Sequence, residues 1–547
     1  MSLRALALAL LGSLALAAPA RADTTLTFDG DVPTGVAYFS IPFTVPAGVA
    51  EIEVRHDDLS STNILDWGLL DPSGGFRGYG GGNTEPAIVN AAAASRSYLP
   101  GPLPAGEWSV YVGEARVTEL PAHYHVEVVL RDAVTLAAQP ERTPYVPSAA
   151  LSTEARWYAG DFHVHSRESG DARPSLDEIA TYAESRGLDF VMISDHNTVS
   201  QLELYADVQA RHPSLLFVPG VEVTMYEGHA MSMGGTTWID HRLGLDGRTI
   251  EQIATDVHDD GALFSINHPA LMLGDLCIGC GWRAALDGGQ VDAMEVQTGA
   301  YHVTGTLFYA RVVSSWEDFL LAGHHVVAVG GSDDHSAGTG TGSFDSPIGS
   351  PTTMVWASEL SAAAILEGVR RGRTVVKLEG PDDPMVELGS PDLDPAATDT
   401  IHADATTMHV RVTGAPMGAT LRFVRDGIPQ PAMDVVGSDW EHDEPFVAGA
   451  GESFVRAELL VGARPRVVTN HVYLVPVTPG GPDSGVVPDA GARDAATPDA
   501  ADIDADAVAR VPAGGAGCSA SASGHGGLAS LALVALAIAT RERMRRR

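Results

Sequence analysis

The sequence predicts an α/β protein in which a central β/α domain is flanked by two β-sandwich domains. Three observations lead to this prediction. Short alternating runs separated by Gly and Pro clusters fill the first part of the chain, strand-like and helix-like segments then alternate, and a second alternating β region follows. The chain has 547 residues, of which 45% are hydrophobic and 19% charged, which is ample for several packed cores.

The first 22 residues have the pattern of a secretory signal peptide. Arg4 supplies a positive start, residues 5–18 form an apolar run, and the triplet Ala20-Arg21-Ala22 is a small-x-small cleavage pattern. The sequence therefore predicts an exported protein, and residues 1–22 are excluded from the fold.

Residues 23–150 predict the first β-sandwich. Runs such as AYFSIPFTV, EIEVRH and EWSVYVG alternate in polarity, and turn clusters such as DPSGG and YGGGN separate them. His123 and His125 stand two residues apart in HYHVEVVL, but no other ligand-type residues accompany them. We expect a solvated strand face there.

Residues 155–380 predict the β/α domain. Apolar runs such as DFVMIS, LLFVPGVEV and ALFSIN alternate with helix-like segments. Ser175 with Glu178, and Thr249 with Gln252, have the spacing of capping boxes at the starts of two helices. Alternation over this length predicts a parallel sheet or a β/α barrel.

The rest of the chain divides into three segments. Residues 381–476 predict a second small β-sandwich, from runs such as TMHVRVTG and SFVRAELL. Residues 477–516 are rich in Pro, Ala and Asp and cannot bury enough apolar area to offset their ordering entropy, so they predict a disordered linker. Residues 517–547 combine Cys518, a short apolar run and a basic end, which indicates a sorting tag or a weak single-pass anchor.

This last segment is similar to the C-terminal sorting signals of myxobacterial surface proteins (MYXO-CTERM type). The similarity implies processing near Cys518 and attachment at the cell surface or outer membrane. Cys277 and Cys280, in LCIGC, are the other two cysteines. In an exported protein this spacing favours a local disulfide, and half of a structural zinc site is the alternative.

The formal net charge of −36 restricts the partners of the chain. An acidic chain is repelled by polyphosphate, which argues against specific nucleic-acid binding. A small phosphate-containing substrate remains compatible with this charge where a metal ion supplies a local positive field.

Ligand-type residues follow nearly every predicted strand of the β/α domain. Because the carboxyl ends of barrel strands meet in one bowl, we expect these side chains to converge. Imidazoles and carboxylates in this number suit zinc, iron or manganese, and two or three divalent ions with a bridging carboxylate are the natural count. The residues are His163, His165, Asp171, Asp195, His196, Glu222, His229, Asn267, His268, Asp333 and His335.

In their order, these motifs resemble those of the PHP (polymerase and histidinol phosphatase) metal-dependent phosphoesterases, over about residues 157–378. The trailing β region, ending in TNHVYL, looks most like the CehA/McbA-type branch. The resemblance implies a distorted seven-stranded β/α barrel with a trinuclear metal site. Asp171 stands where the family often has histidine.

The resemblance also implies roles for the matched residues. Asp195 would orient an imidazole. Arg167, which follows the first motif, would either grip a phosphate oxygen or be a surface arginine. The three implied ligand groups are His163, His165, Glu222 and Asp333 for one ion; Asp171, His196 and His335 for a second; and Glu222, His229 and His268 for a third.

The function expected from these residues is an exported metal-dependent phosphoesterase. A hydroxide activated by the ions would attack a phosphomonoester or phosphodiester, with nucleotides or oligonucleotides among the substrates. Two alternatives stay open. The same centre would also hydrolyse a carbamate, ester or amide, and a chain with an inactive barrel would be a non-catalytic surface adhesin.

Overall fold

The structure is a computed structural model that describes residues 23–274, 277–340, 346–393 and 399–477. The predicted signal peptide, the linker from residue 478 onward and the sorting segment lie outside the described residues. The described residues up to Pro476 belong to one compact unit, whose architecture follows. In the described part of the chain, none of the helices combines the length and the apolar character needed to cross a membrane.

The first eight strands form a two-layer β-sandwich. They are β1 (Thr24–Asp31), β2 (Tyr38–Val45), β3 (Glu51–Asp57), β4 (Ile64–Leu70), β5 (Phe76–Gly81), β6 (Ala87–Asn90), β7 (Gly106–Arg116) and β8 (His123–Arg131). One antiparallel sheet has the order β1-β8-β3-β6 and the other β2-β7-β4-β5. Along β2 the buried positions include Ile41, Phe43 and Val45, as the two-residue pleat requires, and they pack on Trp108 in the core between the sheets.

The middle of the chain alternates strands and helices. The strands are β9 (Arg156–Val164), β10 (Phe190–Ile193), β11 (Leu216–Met225), β12 (Gly228–Met233), β13 (Leu263–Ile266), β14 (Ala293–Thr298), β15 (Val327–Gly331), β16 (Thr352–Ala357) and β17 (Thr374–Lys377). The helices are α1 (Leu176–Ser185), α2 (Tyr205–Arg211), α3 (Ile250–Asp259), α4 (Thr306–Leu321) and α5 (Ala362–Arg370). Shorter 3-10 or π turns cover Ser200–Leu204, Leu245–Gly247, Gly288–Gln290 and Tyr301–Gly305.

Two helix starts confirm the capping boxes expected from the sequence. The Ser175 side chain accepts the Glu178 backbone N–H at the start of α1, and Glu178 accepts the Ser175 N–H in return. Thr249 and Gln252 make the same reciprocal pair at α3. Each box satisfies two backbone N–H groups that have no partner inside the helix.

The strands of this middle region lie side by side in the order β9 to β15. β9, β10 and β11 are parallel, as are β13, β14 and β15, but β12 is antiparallel to both of its neighbours because it forms a hairpin with β11. Between β15 and β9 a single bridge, Val164 with Asp334, stands in place of a ladder. The architecture is therefore a mixed, sheet-rich α/β fold, and a regular closed barrel is not evident.

The last ten strands form a two-layer β region. They are β18 (Met385–Gly389), β19 (Thr400–His402), β20 (Ala405–Thr413), β21 (Ala419–Arg425), β22 (Ile428–Pro429), β23 (Met433–Asp434), β24 (Asp439–Val447), β25 (Ser453–Val461), β26 (Arg464–Thr469) and β27 (Val472–Val475). β18, β20 and β24 form one sheet. It packs through Met408 and Val410 on Leu421 and Leu459 of the other layer.

This region differs in one respect from the separate sandwich that the sequence predicts. β17 pairs with β26, so one layer continues the sheet of the β/α region without a break. Residue 381 itself lies in the turn between β17 and β18, but the β17–β26 pairing joins strands from the two sides of this predicted boundary.

Candidate metal centre

The ligand-type residues predicted from the sequence come together at one end of the parallel strands. His163 lies on β9, Glu222 on β11 and His229 on β12, and the others follow the ends of β9, β10, β13 and β15. Parallel strands place their carboxyl ends at the same edge of a sheet, so residues far apart in sequence become neighbours. The imidazoles of His163 and His165 and the carboxylate of Glu222 are fully buried.

Glu222 lies at the centre of this cluster. Its Oε1 is 2.9 Å from His268 Nε2, 3.3 Å from His229 Nδ1 and 3.4 Å from His163 Nε2. Its Oε2 is 2.8 Å from His196 Nδ1 and 3.5 Å from His165 Nε2. One carboxylate thus faces five imidazoles, which is the position of a bridging ligand.

The first ligand group contains the two histidines of β9 and its extension. The Nε2 atoms of His163 and His165 lie 3.0 Å apart, and Asp333 Oδ1 lies 3.3 Å from the first and 3.2 Å from the second. His163, His165 and Asp333 can present one ligand atom each within 4.8 Å of one another. Asp333 has a φ of 56° and His268 a φ of 29°, values rare outside glycine that concentrate at functional sites.

A second group lies beside it, towards solvent. Asp171 Oδ2 is 3.6 Å from His196 Nε2 and 3.3 Å from His335 Nε2. His165, His196 and His335 also qualify as a possible three-ligand set. Asp171 thus lies where the resemblance implies a ligand of this group.

The third group contains His229 and His268 together with Glu222. The Cys280 sulfur also lies within 4.8 Å of ligand nitrogens of both histidines. That sulfur is bonded to Cys277, which confirms the expected disulfide, so Cys280 offers no thiolate in this structure. The disulfide loop contributes backbone instead, since Ile278 O lies 3.2 Å from His229 Nε2 and Cys280 O lies 3.0 Å from His268 Nδ1.

The backbone and carboxylate partners of the imidazoles fix which nitrogen faces the cluster. A carbonyl oxygen can only accept, so His268 donates Nδ1–H to Cys280 O, and His335 donates Nδ1–H to Asp333 O at 2.9 Å. His163 Nδ1 lies 2.7 Å from Glu295 Oε1. In all three rings the Nε2 atom is left free to bind a cation, the arrangement expected of metal-ligating histidines.

One buried oxygen of Glu222 indicates that the cluster fits divalent cations. Glu222 Oε2 is buried and accepts no hydrogen bond from the residues that the structure describes. The imidazole nitrogen nearest to it, His196 Nδ1 at 2.8 Å, is instead hydrogen-bonded to the Thr224 hydroxyl at 2.6 Å. A buried carboxylate oxygen without a partner costs free energy that a bound cation would recover. Six imidazoles and three carboxylates are a donor set of the kind that zinc, manganese or iron accept.

The charges within the cluster agree with this fit. Burial opposes ionisation of Glu222, but His163 and His196 hold its pKa well below the usual value. Burial also disfavours a charged His163, yet Glu295 and Glu222 raise the pKa of that imidazole. Burial and the neighbouring His335 lower the pKa of His165 to about 3, which keeps it in the neutral, ligating form. Protons therefore balance Glu222 in the metal-free cluster, and cations would compete with them.

Glu295 is a residue of this site that the sequence analysis missed. It lies on β14, and while Oε1 contacts His163, Oε2 accepts the backbone N–H of His268 at 2.9 Å and the Thr298 hydroxyl at 2.8 Å. The available signal was a single acid inside the strand AMEVQT, whose residues are all buried. A carboxylate in such a strand requires polar partners.

Asp195 and Arg167, the two remaining residues given roles by the resemblance, make no hydrogen bond to an imidazole in the described part of the chain. Asp195 does not orient an imidazole, because its oxygens accept the Ser166 N–H at 2.7 Å and the Ser166 hydroxyl at 2.6 Å; burial raises the pKa of Asp195 to about 8. The Arg167 side chain is 53% exposed, and its Nε lies 3.8 Å from Glu168 Oε1. Asp334, between the ligand-type residues Asp333 and His335, accepts the Ser336 N–H at 2.7 Å and so holds the turn after β15.

The other His-x-His pair is a surface feature, as expected. His123 Nδ1 lies 2.7 Å from Asp31 Oδ1, and His125 Nδ1 lies 2.7 Å from Asp29 Oδ1, across the β1–β8 ladder. Both side chains are partly solvent-exposed.

Comparison with known proteins gives structural neighbours only. No protein-family model matches the chain, and no curated protein matches it. One similar solved structure is a two-domain protein from Bacteroides vulgatus containing a predicted PHP-like metal-dependent phosphoesterase. It is 17% identical, with 59% of this chain and 95% of that chain covered and a TM-score of 0.33.

Two further structures are more distant. The CARDB domain of a Pyrococcus furiosus protein, in complex with di-metal ions, is 18% identical over 17% of this chain and 94% of that one, with a TM-score of 0.14. A calcium-binding mutant of Bacteroides uniformis beta-glucuronidase 2 is 12% identical over 82% of this chain and 61% of that one, with a TM-score of 0.17.

Proposed function

We propose that this protein is an exported, metal-dependent phosphoesterase of the PHP type. The observation that carries the proposal is the position of Glu222, which faces five imidazoles and has a buried oxygen without a hydrogen-bond partner. The nine residues proposed to hold two or three divalent ions (Zn, Mn or Fe) are His163, His165, Asp171, His196, Glu222, His229, His268, Asp333 and His335.

The residues of the chain divide the work of such a site. When bound, the ions would supply Lewis acidity at neutral pH. Glu222 would join ligand groups through its two oxygens. The acceptors at Glu295, Cys280 and Asp333 would keep the imidazoles of His163, His268 and His335 turned with Nε2 inward. Asp171 and Asp333 face the more open side of the cluster, where their side chains are 34% and 27% exposed, and a small substrate would approach from there.

One observation favours a second reaction class, the hydrolysis of a carbamate, ester or amide. The Arg167 guanidinium lies beside Glu168, so its charge is already opposed by a carboxylate and is less available to bind phosphate. An uncharged acyl substrate needs no such cation. The two reactions would use the same metal ligands and differ in the groups that bind the substrate.

The proposal includes a place for the protein at the cell surface. The sequence pattern of residues 1–22 supports export, and that of residues 517–547 supports attachment to the surface or outer membrane. The acidic chain supports a small phosphoester or ester substrate in preference to a long nucleic acid.

The experiment that tests the proposal measures turnover with residues 23–476 loaded with zinc, manganese or iron. The substrates are bis-p-nitrophenyl phosphate, p-nitrophenyl phosphate and p-nitrophenyl acetate. The inactivating variant is His163→Ala/His165→Ala, and the matched control is His123→Ala/His125→Ala, which removes the surface pair of the same spacing. Metal content per chain is measured for each protein.

The outcomes separate the candidate functions. Phosphoester cleavage that the first variant loses and the control keeps supports the phosphoesterase. Cleavage of the acetate alone supports the ester or carbamate hydrolase. Full metal occupancy without turnover of any of the three substrates contradicts hydrolysis of simple phosphoesters and esters, and leaves an unusual substrate or the non-catalytic surface adhesin.

A further inference from the structure

The loop that carries Asp171 lies between the metal centre and the N-terminal β-sandwich. It spans Ser166–Ala172 and joins β9 to the segment before α1. Inside the loop, the Ser169 hydroxyl donates to Asp171 Oδ1 at 3.0 Å and lies 3.1 Å from His165 Nδ1. The position of Asp171 at the second ligand group therefore depends on the path of this loop.

Arg96 of the sandwich binds the loop through three backbone carbonyls. Its Nη1 donates to Ala172 O at 3.1 Å and to Arg167 O at 3.4 Å, and its Nη2 donates to Gly170 O at 2.9 Å. These carbonyls lie on both sides of Asp171. The planar guanidinium presents several donors in a fixed geometry, so one side chain sets the course of the loop over several residues.

Ser97, the next residue, binds the loop at Glu168. The Ser97 N–H donates to Glu168 Oε2 at 3.0 Å and its hydroxyl donates to Glu168 O at 2.6 Å. Glu168 is fully buried, and the same Oε2 accepts from Arg142 Nη2 at 3.0 Å and from the Ser200 hydroxyl at 2.8 Å. A buried carboxylate that accepts from three donors is costly to displace.

The backbones of the two regions also touch. Gly170 has a φ of +65°, and a Cβ atom built on it would lie 2.6 Å from Gly80 O at the end of β5. The loop therefore packs on the sandwich at a distance that only glycine permits.

The sandwich meets the metal centre at a second point, the tip of the β11–β12 hairpin. The Tyr226 hydroxyl donates to Asp66 Oδ2 on β4 at 2.8 Å, and its ring stacks on Tyr38 with centroids 5.3 Å apart. This hairpin carries Glu222 and His229. The sandwich thus contacts both the loop that carries Asp171 and the hairpin that carries Glu222 and His229. Together these two elements supply ligands to all three groups.

We propose that the N-terminal β-sandwich is a built-in part of the metal centre, and that Arg96 and Ser97 are positioning residues for the ion held by Asp171, His196 and His335. The inference rests on the proposed metal centre but not on its substrate. The sandwich fixes the loop, and the loop presents Asp171 to His196 and His335 of the second ligand group. Loss of the contacts that Arg96 and Ser97 make with the loop should weaken the binding of this ion and leave the binding of the others unchanged.

The test measures metal stoichiometry and dissociation constants of the full chain by competition with a chelator. Arg96→Ala should raise the dissociation constant of one ion on the order of 10-fold or more, which is the usual effect of losing a group that orients a ligand. Arg131→Ala is the matched control, because this sandwich arginine binds Asp23 at 3.0 Å and Glu53, both within the sandwich. The control should keep the affinity of every ion.

A double-mutant cycle with Asp171→Ala separates positioning from general instability. If Arg96 acts through Asp171, the double variant should bind the weakened ion no worse than Asp171→Ala alone, whereas independent effects would add. Ser97→Ala serves as the second variant if Arg96→Ala does not fold, and it should weaken the same ion. Unchanged metal affinity in the folded variants, or full additivity in the cycle, would overturn the proposal.

The readout keeps this proposal distinct from the proposed function. A chain that binds its ions but cleaves no phosphoester contradicts the phosphoesterase and still reports on Arg96. If the Arg96→Ala variant hydrolyses phosphoester and binds every ion as tightly as the native protein, this result contradicts the positioning role and leaves the phosphoesterase proposal intact.

Discussion

Glu222 and Glu295 are both buried beside His163, yet their surroundings assign them different tasks. Both oxygens of Glu295 are occupied, by His163 Nδ1 on one side and by the His268 N–H and Thr298 hydroxyl on the other. Glu222 faces imidazole nitrogens and keeps one oxygen without a hydrogen bond. The first is built to orient ligands, and the second has capacity left for a cation.

Glu295→Gln should weaken metal binding by about 10- to 100-fold, the range for a residue that orients a ligand. The amide cannot offer two acceptor oxygens, so its NH₂ group opposes either His163 Nδ1–H or the donors His268 N–H and Thr298 hydroxyl. Chelator competition measures the effect. Glu367→Gln, on the exposed face of α5, is the control. Equal affinities in both variants would contradict the orienting role.

Asp66, the sandwich residue at the hairpin tip, leads to a prediction about pH. Burial raises the pKa of Asp66 from 3.8 to about 6. Between pH 3.8 and pH 6 the Asp66 carboxyl is protonated in the folded state and ionised in the unfolded state. The free energy of unfolding therefore rises as pH falls through 6 towards 3.8. The shift corresponds to roughly 3 kcal/mol at most.

The measurement compares urea unfolding of the metal-free native chain and Asp66→Asn between pH 5 and pH 8. The native chain should gain stability relative to the variant as pH falls, because asparagine does not titrate. A difference between the two proteins that is independent of pH would show that Asp66 is ionised in the folded state throughout.

At the scale of elements, several residues of the cluster lie on loops and turns, outside the hydrogen-bonded strands and helices. Asp171 lies on a loop, and His268, Asp333 and His335 follow strand ends. Positive φ at His268 and Asp333 shows that these turns are held in conformations of about 1–3 kcal/mol strain each. Tertiary contacts therefore decide the ligand geometry here.

Gly170→Ala should test this dependence against Gly187→Ala. Both glycines have positive φ, +65° and +72°, so each variant pays about 1–2 kcal/mol for a left-handed alanine. A Cβ at Gly187 meets nothing within 4 Å, whereas a Cβ at Gly170 lies 2.6 Å from Gly80 O. Thermal unfolding should show that both variants are less stable than the native protein. Gly170→Ala should lose more stability because its Cβ adds a steric clash to the shared backbone cost, and only Gly170→Ala should lower metal affinity. Equal metal affinity in the two would contradict the tight packing of the loop.

At the scale of the whole molecule, β17 joins the β/α region to the C-terminal strands. Val375, Val376 and Lys377 pair with Thr469, Val468 and Val467 of β26. Val375 also contributes to the core of the C-terminal region. The two regions share backbone hydrogen bonds and a hydrophobic core, which a pair of linked modules would not.

Truncation after residue 380 should therefore yield an aggregating protein, while residues 23–476 stay soluble. Without β26, β17 becomes an apolar edge strand with free backbone groups, a known cause of association. Size-exclusion chromatography with light scattering distinguishes the outcomes. A monodisperse, metal-binding fragment of residues 23–380 would show that the shared sheet is dispensable.

The parts of this structure that the sequence predicts are those with a local or repeated signal. His163 and His165 two residues apart, acid-histidine pairs after strands and capping boxes at Ser175 and Thr249 are all short-range patterns. Arg96 and Gly170 lie 74 positions apart, and Lys377 pairs with Val467 across the whole C-terminal region, so no window of sequence contains either contact. Glu295 was missed because a single acid in a strand has no periodic signature.

The pairing of β17 with β26 also bears on how such a chain can diversify. A domain held by a linker can be exchanged by recombination with little effect on its neighbour. Here an incoming C-terminal segment would have to reproduce the register of three residue pairs and the apolar face that covers Val375. Descent should therefore keep the β/α region and its trailing strands together as one inherited block, with variation accumulating in loops that face away from the shared sheet.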